Sequence, residues 1–231
     1  MGRRATAVLI SGSGSNLQAL LEAARDPAYP ARIELVVSNR PDAFGLERAR
    51  RARVPAAVVD HRAYESREAF EAALEEELRL AGIELVCLAG FMRILTPAMC
   101  ARWRDRMLNI HPSLLPAYRG LHTHARVLAD GAAVTGCTVH FVRPELDAGP
   151  ILVQGVVPVL PGDDPERLAR RVLEIEHRCY PRALALLATG RVRVEGERVR
   201  IEDERPGERL LVHPALGRLE VDPAAPETAA R

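Results

Sequence analysis

Near its start the chain reads Thr6-Ala7-Val8-Leu9-Ile10-Ser11-Gly12-Ser13-Gly14-Ser15, and this stretch decides the fold class. Its first half is an apolar run of strand length, its second half is a glycine- and serine-rich turn, and an apolar helical pattern follows over residues 16–24. A strand that turns directly into a helix presents backbone N–H groups at the helix N-terminus, where they can bind an anion. We therefore expect a first β-α unit with an anion site at its turn, and a plain turn is the alternative.

The alternation of strand-length and helix-length patterns continues along the first half of the chain. Strand-length apolar runs cover residues 33–37, 56–59 and 85–89, and helical patterns cover residues 44–53 and 66–80. This β-α-β-α order predicts an α/β fold with a doubly wound, mostly parallel, Rossmann-like sheet and right-handed crossovers. Ligands of such sheets bind beyond the carboxyl ends of the strands, so we expect the functional site in the loops there.

The second half of the chain breaks this alternation. Residues 134–142 and 151–159 are two β-rich segments joined by a short loop, which predicts an antiparallel extension of the sheet in the C-terminal half. A long helix is expected from about residue 165 to residue 187, opened by acidic residues that suit the positive end of a helix.

The last forty or so residues differ in composition from the rest. A small hairpin is expected around Gly196, and from Glu202 onward the chain is rich in Pro, Ala, Glu and Arg, which is typical of poorly ordered segments. We expect one main domain over residues 1–190 and a partly disordered C-terminal extension over residues 191–231.

The charge balance excludes several classes of function. The chain has 32 basic and 31 acidic side chains, whereas proteins that bind nucleic acid or anionic membrane surfaces carry a strong basic excess. All 32 basic side chains are Arg, and the absence of Lys excludes a Schiff-base lysine, a Walker-type lysine and a Ser-Lys dyad. The arginine cluster at residues 48–53 is interpreted as a solvated helix face, with a nucleic-acid patch as the alternative.

The cysteines Cys87, Cys100, Cys137 and Cys179 lie in or beside apolar runs and form no C-x-x-C pair. This pattern indicates buried thiols in a reducing compartment. The apolar run at the start is too short for a signal peptide, and no stretch reaches the length of a membrane span. We therefore expect a cytoplasmic protein with no membrane partner.

The first glycine-rich turn does not fit a dinucleotide. In the G-x-G-x-x-G register its last position is Leu17, and the second strand ends in Ser38-Asn39-Arg40 where an acidic residue would bind a ribose. A phosphate monoester on a small substrate fits the turn better.

The segment Met107-Leu108-Asn109-Ile110-His111-Pro112 carries the clearest sign of chemistry. Asn109 and His111 alternate on an extended backbone, so both side chains project to one side. An amide donor beside an imidazole suits a carbonyl group whose oxygen becomes negative in the transition state. A histidine at a strand end that only makes structural bonds is the alternative.

The other histidines are less informative. His122-x-His124 near His111 could suggest a metal, but no carboxylate or cysteine completes a ligand set, so we expect none. His140 alternates with apolar neighbours and is expected to be a strand residue with a structural hydrogen bond.

The stretch Asn109-x-His111-Pro112-Ser113-Leu114-Leu115-Pro116 resembles the signature of the folate-dependent formyltransferases. Further segments are similar, in order from about residue 5 to residue 190, to the members of that family that formylate glycinamide ribonucleotide in purine biosynthesis. These segments are residues 11–18, 38–46, 89–95, 120–124 and 145–150.

The resemblance implies a reaction and a role for each site residue. The formyl group of the co-substrate 10-formyltetrahydrofolate would pass to the amino group of glycinamide ribonucleotide, with no metal. The catalytic residues would be Asn109, His111 and Asp147, with Asp147 keeping His111 charged; an Asp147 that only closes a turn is the alternative. The substrate phosphate would lie at Gly14, Ser15 and Asn16, and the amine at Glu176, for which a surface carboxylate is the alternative. The folate-binding residues would be Arg67, Met92, Arg93, Ile94, Leu95, Arg143 and Asp147.

Three rivals follow from the same motifs. A formyltetrahydrofolate deformylase would carry a regulatory domain before the catalytic strand, and a methionyl-tRNA formyltransferase would carry a further tRNA-binding domain. A phosphate-sugar binding protein would not need Asn109, His111 and Asp147 together. We expect the transferase, acting on small molecules only as a monomer or homodimer, with no nucleic-acid partner.

Overall fold

The computed structural model describes residues 2–202 of the chain and contains a seven-stranded sheet and a two-stranded hairpin. The strands of the large sheet are β1 (Arg4–Ile10), β2 (Ala31–Ser38), β3 (Ala56–Val58), β4 (Leu85–Leu88), β5 (Met107–His111), β6 (Val134–Phe141) and β7 (Ile151–Pro158). Their order across the sheet is β3-β2-β1-β4-β5-β6-β7. The predicted α/β fold with an antiparallel extension in the C-terminal half is confirmed.

Six α-helices and a short 3₁₀ turn at His61–Ala63 connect the strands of the described residues. The helices are α1 (Ser15–Ala23), α2 (Gly45–Arg51), α3 (Arg67–Leu80), α4 (Pro97–Arg102), α5 (Thr123–Ala129) and α6 (Pro165–Ala188). The hairpin expected around Gly196 is present as β8 (Val192–Glu195) and β9 (Arg198–Ile201). The tail expected after Glu202 lies outside the described residues, and α4 and α5 are not predicted from the sequence pattern.

The topological switch point lies between β1 and β4. Strand β1 pairs in parallel with β2 on one side and β4 on the other, and Leu9 of β1 is opposite Leu88 of β4. The turn after Ile10 and the segment after β4 therefore leave the sheet side by side. In doubly wound sheets this is where ligands bind.

The antiparallel half of the sheet brings a second polar side chain beside the first motif. Strand β5 pairs with β6 so that Asn109 is directly opposite His140 and His111 is opposite Thr138. Directly opposed residues of an antiparallel pair have side chains close enough to interact.

Helix α6 is fixed to the sheet by a buried hydroxyl group. The Tyr180 side chain is fully buried, and its hydroxyl lies 2.9 Å from the carbonyl oxygen of Leu88 and 3.1 Å from that of Leu108. Leu88 is the last residue of β4 and Leu108 is the second residue of β5. The two bonds therefore hold α6 across these strands, one helical turn after Glu176.

The cysteines Cys87, Cys100, Cys137 and Cys179 are free and buried, as predicted. None of the helices between residues 2 and 202 combines the length and the apolar character that a bilayer crossing requires.

Candidate active site

A cavity of about 540 Å³ opens beyond the carboxyl ends of β4 and β5. Its wall is formed mainly by residues 90–95, 109–112, 120–123 and 142–147. The predicted site residues that it brings together are Asn109, His111, Asp147, Met92, Arg93, Ile94, Leu95 and Arg143.

Large apolar side chains are exposed along this cavity. Met92, Ile94, Leu121 and Leu146 all line it, and each exposes more than half of its surface. Apolar walls with a few convergent polar groups are typical of sites for flat organic ligands.

His111 has an acceptor at both ring nitrogens. Its Nδ1 lies 3.3 Å from Oδ2 of Asp147, and its Nε2 lies 2.9 Å from the carbonyl oxygen of Tyr118. A neutral imidazole has one N–H and can satisfy only one of these acceptors, whereas the imidazolium can donate to both. The buried ring thus lies between a backbone carbonyl oxygen and a carboxylate.

The Asp147 carboxylate is held in place by its own backbone and by a turn. Its φ of 50° is in the left-handed region, where Asp and Asn are better tolerated than most residues. Oδ2 also accepts a 2.9 Å hydrogen bond from the Gly120 backbone N–H. The buried carboxylate is thus directed at His111 by the protein itself.

Asn109 has a partner that sequence reasoning did not reveal. Its Nδ2 lies 3.1 Å from Nε2 of His140, whose Nδ1 lies 3.0 Å from the Phe141 carbonyl oxygen. Burial is the largest influence on the pKa of His140 and lowers it. A neutral ring that donates from Nδ1 to Phe141 accepts the Asn109 amide N–H at Nε2 and so orients that amide. Only the strand register could have shown this pairing, because 31 positions separate the two residues.

The glycine-rich turn before α1 has the geometry of an anion site. Gly14 has a φ of 68°, and a Cβ placed there would lie 2.8 Å from the Cα of Gly45, so both its backbone angle and the space around it favour glycine. No side chain forms a capping hydrogen bond at the N-terminus of α1, which leaves its first N–H groups available. Arg48 Nε donates a 2.8 Å hydrogen bond to the Ser13 carbonyl. Arg48 is half-buried and supports the turn, whereas Arg50, Arg51 and Arg53 of the same cluster are exposed.

Glu176 is buried, with 7% of its surface exposed, so the surface-carboxylate alternative is wrong. Its Oε2 accepts a 2.7 Å hydrogen bond from Nδ2 of Asn16, the second residue of α1. Burial raises the pKa of the Glu176 carboxyl, and the bond from Asn16 opposes that effect. The Asn16 Oδ1 atom is buried without a hydrogen-bond partner. A carboxylate and an amide oxygen, both acceptors, thus lie beside the anion site.

Arg143 of the β6–β7 loop is held by residues from two other parts of the chain. Its Nη2 lies 2.8 Å from Oδ1 of Asp105, and its Nε lies 3.3 Å from Oε2 of Glu197 in the turn of the β8–β9 hairpin. The Arg143 side chain is only 8% exposed. The hairpin thus supports one wall of the cavity.

Some of the predicted site residues lie elsewhere. Arg67 is exposed at the start of α3, outside the lining of this cavity, and Gly14, Asn16 and Glu176 lie at the neighbouring anion site. Within residues 2–202, no group of three or more His, Cys, Asp or Glu side chains could hold a metal ion.

Comparison with known proteins identifies the family. A family model described as formyl transferase matches residues 4–184. Phosphoribosylglycinamide formyltransferase of Escherichia coli (strain K12) is 44% identical over 198 residues, which cover 86% of this chain and 93% of that protein. The trifunctional purine biosynthetic protein adenosine-3 of Bos taurus is 50% identical over 195 residues, and the match covers 84% of this chain but 19% of that protein. The chain spans less than a fifth of the length of such trifunctional relatives.

Solved structures agree with this assignment. Glycinamide ribonucleotide transformylase 1 from Symbiobacterium toebii is 54% identical, with a TM-score of 0.85 over 87% of this chain and 95% of that chain. A formyltetrahydrofolate deformylase from Pseudomonas syringae shares the fold with a TM-score of 0.80. Its sequence is only 26% identical, and the match covers 87% of this chain but 66% of that chain. The chain belongs to the formyl transferase family, and within it groups with the phosphoribosylglycinamide formyltransferases.

Proposed function

We propose that the chain transfers the formyl group of 10-formyltetrahydrofolate to the amino group of glycinamide ribonucleotide in de novo purine (IMP) biosynthesis. The observation that carries this proposal is the buried His111 ring with an acceptor at each nitrogen, one of them Asp147. An imidazolium beside the Asn109 amide is suited to an oxygen that becomes negative during acyl transfer.

The two substrates would occupy neighbouring parts of the site. The pteridine would enter the cavity against the backbone of Met92, Arg93, Ile94 and Leu95 and the loop from Arg143 to Asp147. Its apolar wall supports this placement. Arg67, exposed on α3, would meet the outer end of the folate.

The ribonucleotide would bind through its two ends. Its phosphate would accept hydrogen bonds from backbone N–H groups of Gly14, Ser15 and Asn16, which the uncapped start of α1 supports. Its amino group would donate to Glu176, whose burial beside Asn16 provides acceptors for N–H groups.

The reaction would proceed through a tetrahedral intermediate. The amine lone pair forms a bond to the formyl carbon, and the carbonyl oxygen becomes an oxyanion that Asn109 and the His111 imidazolium stabilise. Collapse re-forms the C=O bond and breaks the bond to N10 of the folate. The proton lost by the attacking nitrogen reaches N10 through water beside Asp147, so N10 leaves as a neutral amine. Asp147 keeps the imidazolium charged throughout.

A direct assay tests the proposal. The chain is mixed with glycinamide ribonucleotide and 10-formyltetrahydrofolate, and formylated ribonucleotide and tetrahydrofolate are measured against a reaction without the acceptor. We expect formylated ribonucleotide and tetrahydrofolate to form in equal amounts, and only when the acceptor is present. Release of formate at the same rate without acceptor would instead identify a deformylase, the enzyme class of the Pseudomonas syringae relative.

We also propose the setting in which this activity operates. Residues 1–190 would form the formyltransferase domain and residues 191–231 a C-terminal extension. The chain would act in the cytoplasm as a monomer or homodimer, with small molecules as its partners and no metal.

A further inference from the structure

We propose that Ser11 is a positioning residue that ties the phosphate-binding turn to the folate-binding segment and thereby couples the binding of the two substrates. The inference rests on the proposed formyl transfer. It concerns a residue that lies outside the lining of the cavity.

Ser11 is buried between the two regions, and both hydrogen-bonding functions of its hydroxyl are used. The Oγ–H donates a 2.6 Å hydrogen bond to Oδ1 of Asn39, and Oγ accepts a 2.7 Å hydrogen bond from the backbone N–H of Met92. A hydroxyl has one proton, so the bond to Asn39 turns an Oγ lone pair towards Met92.

Asn39 is itself fixed in this orientation. It is 2% exposed, and its Nδ2 lies 3.1 Å from Nδ1 of His61 in the 3₁₀ turn before α3. The acceptor that orients Ser11 is therefore part of a buried network and not a mobile surface group.

The folate-binding segment is held at its other end by a different element. The Thr96 N–H donates a 2.7 Å hydrogen bond to Oε1 of Glu71, and the Thr96 hydroxyl donates to Oε2 of the same carboxylate. Glu71 lies on α3 and is 5% exposed. The segment from Met92 to Leu95 is thus fixed at both ends, and its Met92 end is bonded to the residue that begins the phosphate-binding turn.

The position of Ser11 makes the connection between the two substrates. Ser11 directly precedes Gly12, whose carbonyl accepts a 3.0 Å hydrogen bond from the Gly45 N–H, so α2 holds the far side of the turn. A phosphate bound at the start of α1 would restrict this turn, and through Ser11 it would restrict the Met92 backbone. Thermodynamic linkage requires that bound folate strengthen ribonucleotide binding by the same factor by which bound ribonucleotide strengthens folate binding.

Three variants separate coupling from general structural support. Ser11→Ala leaves the Met92 N–H and Asn39 Oδ1 without this partner, and we expect the KM for 10-formyltetrahydrofolate to rise about tenfold. Ser13→Ala, at an exposed position of the same turn, is the matched control and should stay within about twofold. Glu71→Gln weakens the end that is not tied to the turn, so it should raise the folate KM without changing the coupling.

Coupling is measured by calorimetry with a folate analogue whose N10 is replaced by carbon and which cannot release formyl. In the unmodified chain, Ser13→Ala and Glu71→Gln, saturating glycinamide ribonucleotide should tighten analogue binding about fivefold. The ratio of the analogue dissociation constants without and with the ribonucleotide should fall to near one in Ser11→Ala. The unfolding curve of this variant should stay cooperative.

The outcomes distinguish this inference from the proposed function. If the unmodified chain formylates the ribonucleotide normally, two results overturn the coupling alone. One is a ratio in Ser11→Ala that equals the ratio in the unmodified chain, and the other is a ratio of one in the unmodified chain itself. An unmodified chain that forms no formylated ribonucleotide contradicts the proposed function itself.

Discussion

Oε2 of Glu176 on α6 accepts a 2.7 Å hydrogen bond from Nδ2 of Asn16 on α1, although 160 positions separate the two residues. The bond joins the last long helix of the fold to the first turn after β1. Burial disfavours the charge on Glu176 and raises its pKa, so a buried carboxylate at this place needs donors. Asn16 supplies one donor, and an amine substrate would supply another.

Replacing Glu176 by Gln should separate stability from activity. A carboxyl whose folded-state pKa is raised contributes stability that is complete below its unfolded-state pKa and is lost as the pH rises through its folded-state pKa. Gln does not titrate, so the free energy of unfolding of Glu176→Gln should exceed that of the unmodified chain more at pH 8 than at pH 4. The value of kcat/KM for the ribonucleotide should fall about tenfold or more, because a charge-assisted hydrogen bond to the amine is lost.

The matched control is Glu174→Gln, an exposed carboxylate on the same helix. Denaturant unfolding at both pH values and steady-state kinetics should leave it close to the unmodified chain. Equal effects of the two substitutions on kcat/KM would contradict the assignment of Glu176 to the amine.

Asp147→Asn tests whether the carboxylate keeps His111 charged. Asn tolerates the left-handed backbone at this position, and its side-chain oxygen can still accept from the Gly120 N–H, so the loop should keep its shape. The negative charge beside Nδ1 is lost, and we expect kcat to fall ~10²-fold or more while the dissociation constant for the ribonucleotide changes little. NMR of the His111 ring at pH 7 should show a smaller imidazolium fraction, and full activity with an unchanged ring spectrum would refute the role.

His140 should act through Asn109 and only in its neutral form. Burial lowers the pKa of His140. As the pH falls below about 6.5, the unfolded chain therefore binds a proton at this residue and the folded chain does not, so the free energy of unfolding decreases. His140→Gln removes this proton uptake and should flatten the pH dependence of the free energy of unfolding between pH 7 and pH 5.

Gln can still accept a hydrogen bond from Asn109, whereas the Leu side chain of His140→Leu cannot. We therefore expect a lower kcat for Leu than for Gln, and equal kcat values would argue against the orienting role.

Gly14→Ala tests the phosphate subsite. A methyl group at this position meets the Gly45 backbone and strains a φ of 68°, so the turn must move. The KM for glycinamide ribonucleotide should rise at least tenfold, an order of magnitude typical of a lost charge-assisted hydrogen bond. Glycinamide riboside, the substrate without its phosphate, should bind weakly to both proteins, and its two affinities should be similar. A dephosphorylated substrate turned over as well as the ribonucleotide would remove the phosphate subsite from the proposal.

The sequence predicted the long, periodic elements and missed the short ones. The amphipathic α3 and α6 have clear patterns, whereas α4 and α5 have six and seven residues. The Thr96-Pro97 start of α4 is a helix signal that could have been used, since the Thr96 side chain caps the helix and Pro occupies its first turn. The start of α5 offers no such signal, because no capping hydrogen bond forms at His122.

At the site, proximity along the chain could be predicted and proximity across the sheet could not. Asn109 and His111 are two residues apart, so their common side follows from strand geometry alone. The bonds of Asn109 to His140 and of Ser11 to Asn39 and Met92 depend on strand order and register. The burial of Glu176 likewise depends on where α6 crosses the sheet, which periodicity along one helix does not specify.

The contact between Glu197 and Arg143 has a consequence for how this chain can be shortened. The family match ends at residue 184, before the hairpin that supplies Glu197. A chain cut at that boundary would leave the nearly buried guanidinium of Arg143 with Asp105 as its remaining carboxylate partner and would open the cavity wall beside it to water. A shortened chain that keeps this contact must therefore extend past the matched segment and retain the β8–β9 hairpin.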